Sequence, residues 1–300
     1  MADLTPTTAP AQQSQPAPPA GAGPDLAALR AAIDNIDDAM HDLLMRRAAL
    51  AAGMAAGRVK AGGPTFRPGR EAAILRRLLA RHEGPLPRPV VARLWRDIIA
   101  SSLAQQGPFS MAACGAADGA AAHAARGHFG LLTRLTLHPT PAGALAAVAA
   151  GEATVAILPA AERGDRPAAA WWMQMQVPRL QVLAALPFLA GPEGARPEAL
   201  AVAAFRPEPS GRDRTLLRFA GVNDVGRIGG ALAALGLPPC RVIWHHARAA
   251  LAEVEGFLDP ADPRLAALPF SSVQVLGAYA EPFCDAPARP TPTHPEEPPA

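Results

Sequence analysis

Apolar residues recur at spacings of three and four from Leu29 onward, through Ile33, Ile36, Met40, Leu43, Leu50 and Met54. That is the period of one helix face. Asp25 offers an N-cap directly after Pro24. The spacing therefore predicts a single helix of about thirty residues, longer than most in globular domains, whose seam resembles the partner surface of a coiled coil. Arg47 falls in this seam between Leu43 and Leu50, where a core residue would be expected. An unpaired buried cation is costly, so a guanidinium there calls for an acid, with Asp37 or Asp97 as candidates, or for an anionic ligand.

Two shorter helices are predicted next. One runs from about Gly69 to His82 on Ile74, Leu75, Leu78 and Leu79, and one from Pro89 to Gln106 on Val90, Leu94, Ile98, Ile99 and Leu103. The Gly and Pro residues of HEGPLPRP make the turn between them. Arg58 lies three turns beyond Arg47, roughly 16 Å along the same face, while Lys60 points to the opposite side. Ser102 and Gln106 sit one turn apart, and Arg70 and Glu71 open the second helix. Together they form an Arg-rich polar cluster inside a helical bundle. Taken singly, Arg70 and Glu71 also suit a solvated first turn, and Ser102 and Gln106 a surface.

The rest of the chain changes character. After Gly107-Pro108, the runs LLTRLTLHP, ATVAILP, LQVLAALPF and ALAVAAF read as buried strands, and PAGALAAVAAG as a helix between two of them. From about Pro207 the order becomes β-α-β-β-α-β, the ferredoxin-like supersecondary pattern. Residues 1–24 and 286–300 are Pro-rich and aperiodic, and are expected to be disordered tails. The organisation predicted is a helical domain over 25–106, an α/β domain over 107–206 and an α+β domain over 207–285. Half the residues are hydrophobic, and the formal charge of +2 has no basic stripe, so a folded protein with no nucleic acid partner is expected. Three scattered cysteines fit neither a disulfide framework nor a metal site. With no membrane-length apolar run and no secretory pattern, a cytoplasmic location and no membrane partner are expected.

The helical third resembles the type II, all-α chorismate mutases through LAALRAAIDNIDDAMHDLLMRRAALAAGMAAGRVK, RPGREAAILRRL and VARLWRDIIASSLAQQ. The resemblance implies conversion of chorismate to prephenate in aromatic amino acid biosynthesis, with no cofactor and no metal. It implies Arg30 and Arg47 on the two substrate carboxylates, Arg58 and Gln106 donating to the ether oxygen, Glu71 accepting from the ring hydroxyl, and Arg70 and Ser102 orienting a carboxylate. It also implies an intertwined homodimer. Arg30 and Arg47 stand roughly 25 Å apart on one helix, too far to grip one small dianion, so the second subunit must supply Arg30. Two departures stand out: Arg58 where the family usually has Lys, and Arg67 where it often has Asp.

The domain order resembles the P-proteins, which join this mutase to prephenate dehydratase and an ACT regulatory domain. TPAGALAAVAAGEATVAILPAAERG and PEPSGRDRTLLRF resemble dehydratase segments, and LAEVEGFLDPADPRLAAL with VQVLGAYAEPF resembles the end of an ACT domain. Both dehydratase motifs are broken. Ala160, Ala161, Glu162 and Arg163 replace the Glu-Asn and hydroxyl residues, and two leucines separate Thr215 from Arg218-Phe219. WHHAR replaces the ACT effector segment, and adjacent His245 and His246 would face opposite sides of a strand, against a metal site. The expected fold is thus a multidomain chain: a helical mutase, a truncated dehydratase-like α/β domain and an ACT-like domain. The alternatives are a bifunctional mutase/dehydratase and a non-catalytic regulatory or partner-binding protein with a vestigial pocket.

Overall fold

The structure is a computed structural model that describes residues 25–61, 64–190 and 196–284. Both expected tails lie outside the described residues. By the packing of its backbone the chain divides into two compact units, residues 1–50 and 51–300.

The first unit is the body of α1 (Leu26–Ala61), a 36-residue helix that runs on into the second. At 1.5 Å per residue it spans about 54 Å. The Ala27 amide donates to the Asp25 carboxylate at 3.0 Å, so Asp25 caps it as expected. Every apolar residue of the predicted seam is exposed, from Leu29 at 47 % to Leu50 at 72 %.

In the second unit, α2 (Pro68–Ala80) and α3 (Arg88–Gln105) precede an α/β body. Strand β1 (Ser110–Cys114), helix α4 (Ala120–Phe129), strand β2 (Arg134–His138), helix α5 (Pro141–Ala149) and strand β3 (Val155–Pro159) form two parallel crossovers. Met111, Ala113, Val155 and Ile157 pack toward α4, while Ala112, Ala156 and Leu158 pack toward α5. Alternate residues of one strand thus meet helices on opposite faces, which is why these strands read as unbroken apolar runs. Strands β4 (Gln181–Leu186), β5 (Leu189–Ala190) and β6 (Ala199–Ala203) follow.

The remaining elements are β7 (Asp213–Ala220), α6 (Arg227–Ala234), β8 (Cys240–His246), β9 (Ala249–Glu255), α7 (Pro263–Ala266), β10 (Ser272–Ala280) and β11 (Phe283–Cys284). The β-α-β-β-α-β order read from the sequence is present. Its strands do not form a separate sheet. A nine-stranded sheet runs β2-β1-β3-β6-β4-β10-β7-β9-β8, and β5 pairs with β11 outside it. The two halves meet where β10 lies parallel to β4 at Gly277 and Val182. Gly277 has φ +139, and a Cβ there would collide with the Val182 backbone. Only glycine combines that backbone angle with so close an approach.

Helices α2 and α3 share a core with this body. Ala72, Leu75 and Ile99 pack with Phe188 and Ala280. A Cβ on Gly69 would meet the Glu208 carbonyl oxygen at 2.5 Å, so the start of α2 lies directly on the backbone that leads into β7. Arg76 fastens the helix along its length, donating to the Ser210 hydroxyl at 2.9 Å and to the carbonyls of Ser210, Arg212 and Glu281 at 3.1, 2.8 and 2.9 Å.

Candidate active site

The expected site residues occupy three environments. Arg30 is exposed on α1, and Arg47 is half-buried on the same helix. Burial lowers the Arg47 pKa from its usual value, the direction expected of a cation drawn partly out of water. Arg58 belongs to the α1 helix, but its side chain lies outside the described residues.

The second group sits on α2. Arg70 is exposed in the first turn. Glu71, beside it, is only 6 % exposed and accepts from Arg96 Nη2 at 2.7 Å. Burial raises the Glu71 carboxyl and Arg96 pulls it back toward the ionised form; burial likewise lowers Arg96, itself 6 % exposed. Arg67, one of the two departures from the family pattern, is directed elsewhere: its Nε donates to both Glu208 carboxylate oxygens at 3.0 and 2.9 Å.

The third group closes α3. Ser102 is buried and its hydroxyl donates to the Ile98 carbonyl at 2.9 Å, one turn back. Gln106 is half-buried and forms the C-cap, its amide donating to the Leu103 carbonyl. Ser102 and Gln106 lie one turn apart, as the spacing predicts.

Sequence reasoning missed two residues. Arg96 lies in the buried row Ala92, Arg96, Ile99, Leu103 of α3, which is the same anomaly of an arginine in an apolar seam that marks Arg47. His128 of α4 is 5 % exposed, and its Nε2 stands 3.9 Å from Glu71 Oε2 with no hydrogen-bond partner. Burial, with Arg96 nearby, holds His128 well below the usual histidine pKa, so it is neutral at pH 7. Its ring is wedged edge-to-face against Phe66 and Phe129. On the outer side of the pair, Arg96 and His128 help line an open cavity of about 790 Å³ with Arg93, Asp97, Arg126 and Phe188.

The dehydratase-like residues are committed to structure. Thr215 and Arg218 project to opposite faces of β7, as an odd spacing in a strand requires. The Thr215 hydroxyl donates to the Gly256 carbonyl at 2.7 Å and accepts from the Leu258 amide at 2.9 Å. Arg218 Nη1 donates to the carbonyls of Trp172, Met173 and Met175 at 2.6, 2.8 and 3.3 Å, and the same guanidinium binds Gln274. Ala160 and Ala161 pack against the core behind α5. His245 and His246 are both exposed, and no group of three metal-ligating side chains occurs among the described residues.

Residues 29–107 match the family model of chorismate mutase type II. A bifunctional chorismate mutase/prephenate dehydratase from Neisseria gonorrhoeae is 40 % identical over 111 residues, which are 37 % of this chain and 30 % of that protein. The match thus spans less than a third of the relative's length. Among solved structures, the quorum quenching acylase GqqA aligns at 19 % identity with a TM-score of 0.41, over 58 % of this chain and 96 % of that one. A prephenate dehydratase from Arthrobacter aurescens in complex with L-Phe aligns at 15 % identity with a TM-score of 0.40, over 57 % and 90 %.

Proposed function

We propose that this chain is a chorismate mutase acting as a homodimer, converting chorismate to prephenate without cofactor. One observation carries the proposal: the type II mutase match over residues 29–107 contains Arg30, Arg47, Arg58, Arg70, Glu71, Ser102 and Gln106, every residue of the expected site. The reaction breaks a C–O bond and forms a C–C bond within one molecule, so the protein needs no nucleophile. Its work is to select the compact conformer and to stabilise charge growing on the ether oxygen.

Arg47 and a partner's Arg30 would grip the two carboxylates, which is the positioning contribution. Arg58 and Gln106 would donate to the ether oxygen, where preorganised donors act only as charge develops. Arg96 occupies Glu71 Oε2, so acceptance from the ring hydroxyl falls to Oε1. Arg70 and Ser102 complete the carboxylate end. The exposed apolar row of α1 supports the dimer, because burying each such side chain stabilises an association by about 1.5–3 kcal/mol before entropy costs. The 207–285 segment would serve as an ACT-like regulatory region.

A bifunctional enzyme is the second reading, favoured by the name of the Neisseria relative. Against it stand Thr215, whose hydroxyl is held by backbone partners, and Arg218, whose guanidinium is held by backbone carbonyls and Gln274. Loss of chorismate and appearance of prephenate in a purified full-length preparation tests the first; phenylpyruvate formed from prephenate by the same preparation would establish the second. Chorismate left intact by the wild type, with Arg47→Ala changing nothing, would rule out both.

A further inference from the structure

The three charged or titratable groups buried where α2, α3 and α4 meet lie on two sides of the expected domain boundary. Glu71 and Arg96 come from the mutase-like segment, and His128 comes from the α/β body. Arg96 is a two-ended connector. Its Nη2 donates to Glu71 Oε2 at 2.7 Å, and its Nε donates to the His128 backbone carbonyl at 3.3 Å. That carbonyl belongs to the last turn of α4, where the final carbonyls have no partner within the helix and the helix dipole presents negative charge. The neighbouring Phe129 carbonyl is taken by the Thr133 hydroxyl at 2.6 Å. Arg96 therefore serves as the cap on the His128 carbonyl, and its planar fork fixes the direction in which the other end meets Glu71.

We infer that Arg96 is a positioning residue for Glu71, anchored by the C-terminal end of α4, so that the α/β body holds one wall of the mutase site in working geometry. This rests on the mutase proposal and extends it. An unsupported carboxylate at 6 % exposure would rotate and would take up a proton more readily. The guanidinium draws it toward the ionised form, against the effect of burial, and aims it. The charged and titratable groups facing Glu71 are Arg96 from α3 and His128 from α4, with Asp97 acting on Arg96 from the adjacent position. His128 is neutral, so it adds no competing charge.

Two substitutions separate positioning from mere stability. Arg96→Gln removes the charge. Arg96→Lys keeps the charge, but a single ammonium cannot span both acceptors. Mutase kcat and KM are measured against pH for full-length wild type and both variants, with folding checked by near-UV circular dichroism. For Arg96→Gln, kcat is expected to fall roughly ten- to a hundred-fold with KM little changed, and the acid limb of the profile to move up by about one pH unit. Arg96→Lys is expected to lose kcat to a smaller degree while keeping the wild-type acid limb, and it covers the case in which the glutamine variant fails to fold. An active wild type whose folded variants match it in kcat and acid limb overturns the positioning role alone. An inactive wild type overturns the mutase proposal and this role with it.

Discussion

The helical segment and the α/β body both carry residues that resemble catalytic motifs, and the fold treats them differently. In the helices, Arg30 and Arg70 are exposed and Arg47 is half-buried in an otherwise apolar seam. In the body, Thr215 and Arg218 are clasped by main-chain carbonyls and an amide. A donor that has already met backbone acceptors in the folded state has little left to offer a substrate, and on the helical side Ser102 is held in this way, its hydroxyl donating to the Ile98 carbonyl. A polar residue kept in sequence can therefore be a relic of chemistry or a structural fastener, and its hydrogen-bond partners distinguish the two.

The largest expected effect lies on the helical side. Arg47→Ala should lower mutase kcat/KM by about a hundred- to a thousand-fold while leaving thermal stability nearly unchanged, as steady-state kinetics and a melt on the same preparation would show. The body should answer in the opposite sense. Gly277→Ala must place a Cβ against the Val182 backbone at φ +139, where the two sub-sheets join, and is expected to cost at least about 3 kcal/mol in urea unfolding. Arg218→Ala strips three carbonyls of their donor and should cost about 2–3 kcal/mol. In both, kcat of the folded fraction should stay near wild type; a selective loss of turnover without loss of stability would break the contrast.

Thr215→Val is a near-isosteric change that removes a donor and an acceptor. It is expected to destabilise by about 2 kcal/mol without altering mutase kinetics. The smallest effect is a pH dependence. His128 has a folded pKa below its unfolded one, so below about pH 6.5 the unfolded chain binds a proton that the native chain does not. Stability should therefore decline as pH falls through that value. Glu71, raised by burial, works in the opposite sense, and its contribution is lost as pH rises through its folded pKa. His128→Phe removes the first effect alone, so its melting temperature should change less between pH 7 and 5.5 than the wild type's.

Much of the secondary structure was legible because the signals were local. The three-and-four spacing marks α1, the Pro at the start of α2 and α3 marks their first turns, and the β-branched or leucine-rich runs mark β3, β4 and β7. β1 and α4 were missed. SMAAC is short and alanine-rich, and AAAHAARGHF carries no clear apolar period, so both owe their form to packing against β3 and each other. The joining of two expected domains into one sheet was equally hidden, because it depends on a contact between Gly277 and Val182, residues far apart in sequence. At the site, Arg47 was visible as a cation in an apolar seam. Arg96 gives the same signal one helix later, and its role emerges only from where Glu71 and the end of α4 lie in space.

The account stands most directly on whether chorismate is turned over at a site built from two subunits. Arg30→Ala and Arg47→Ala are prepared separately, then mixed in equal amounts, unfolded together and refolded, and chorismate loss is followed for the mixture, each parent and the wild type. The account predicts an active wild type, two inactive parents, and a mixture restored to about a quarter of wild-type activity, since half the random dimers carry one intact site of two. An inactive wild type, or a mixture as inactive as its parents, would contradict it.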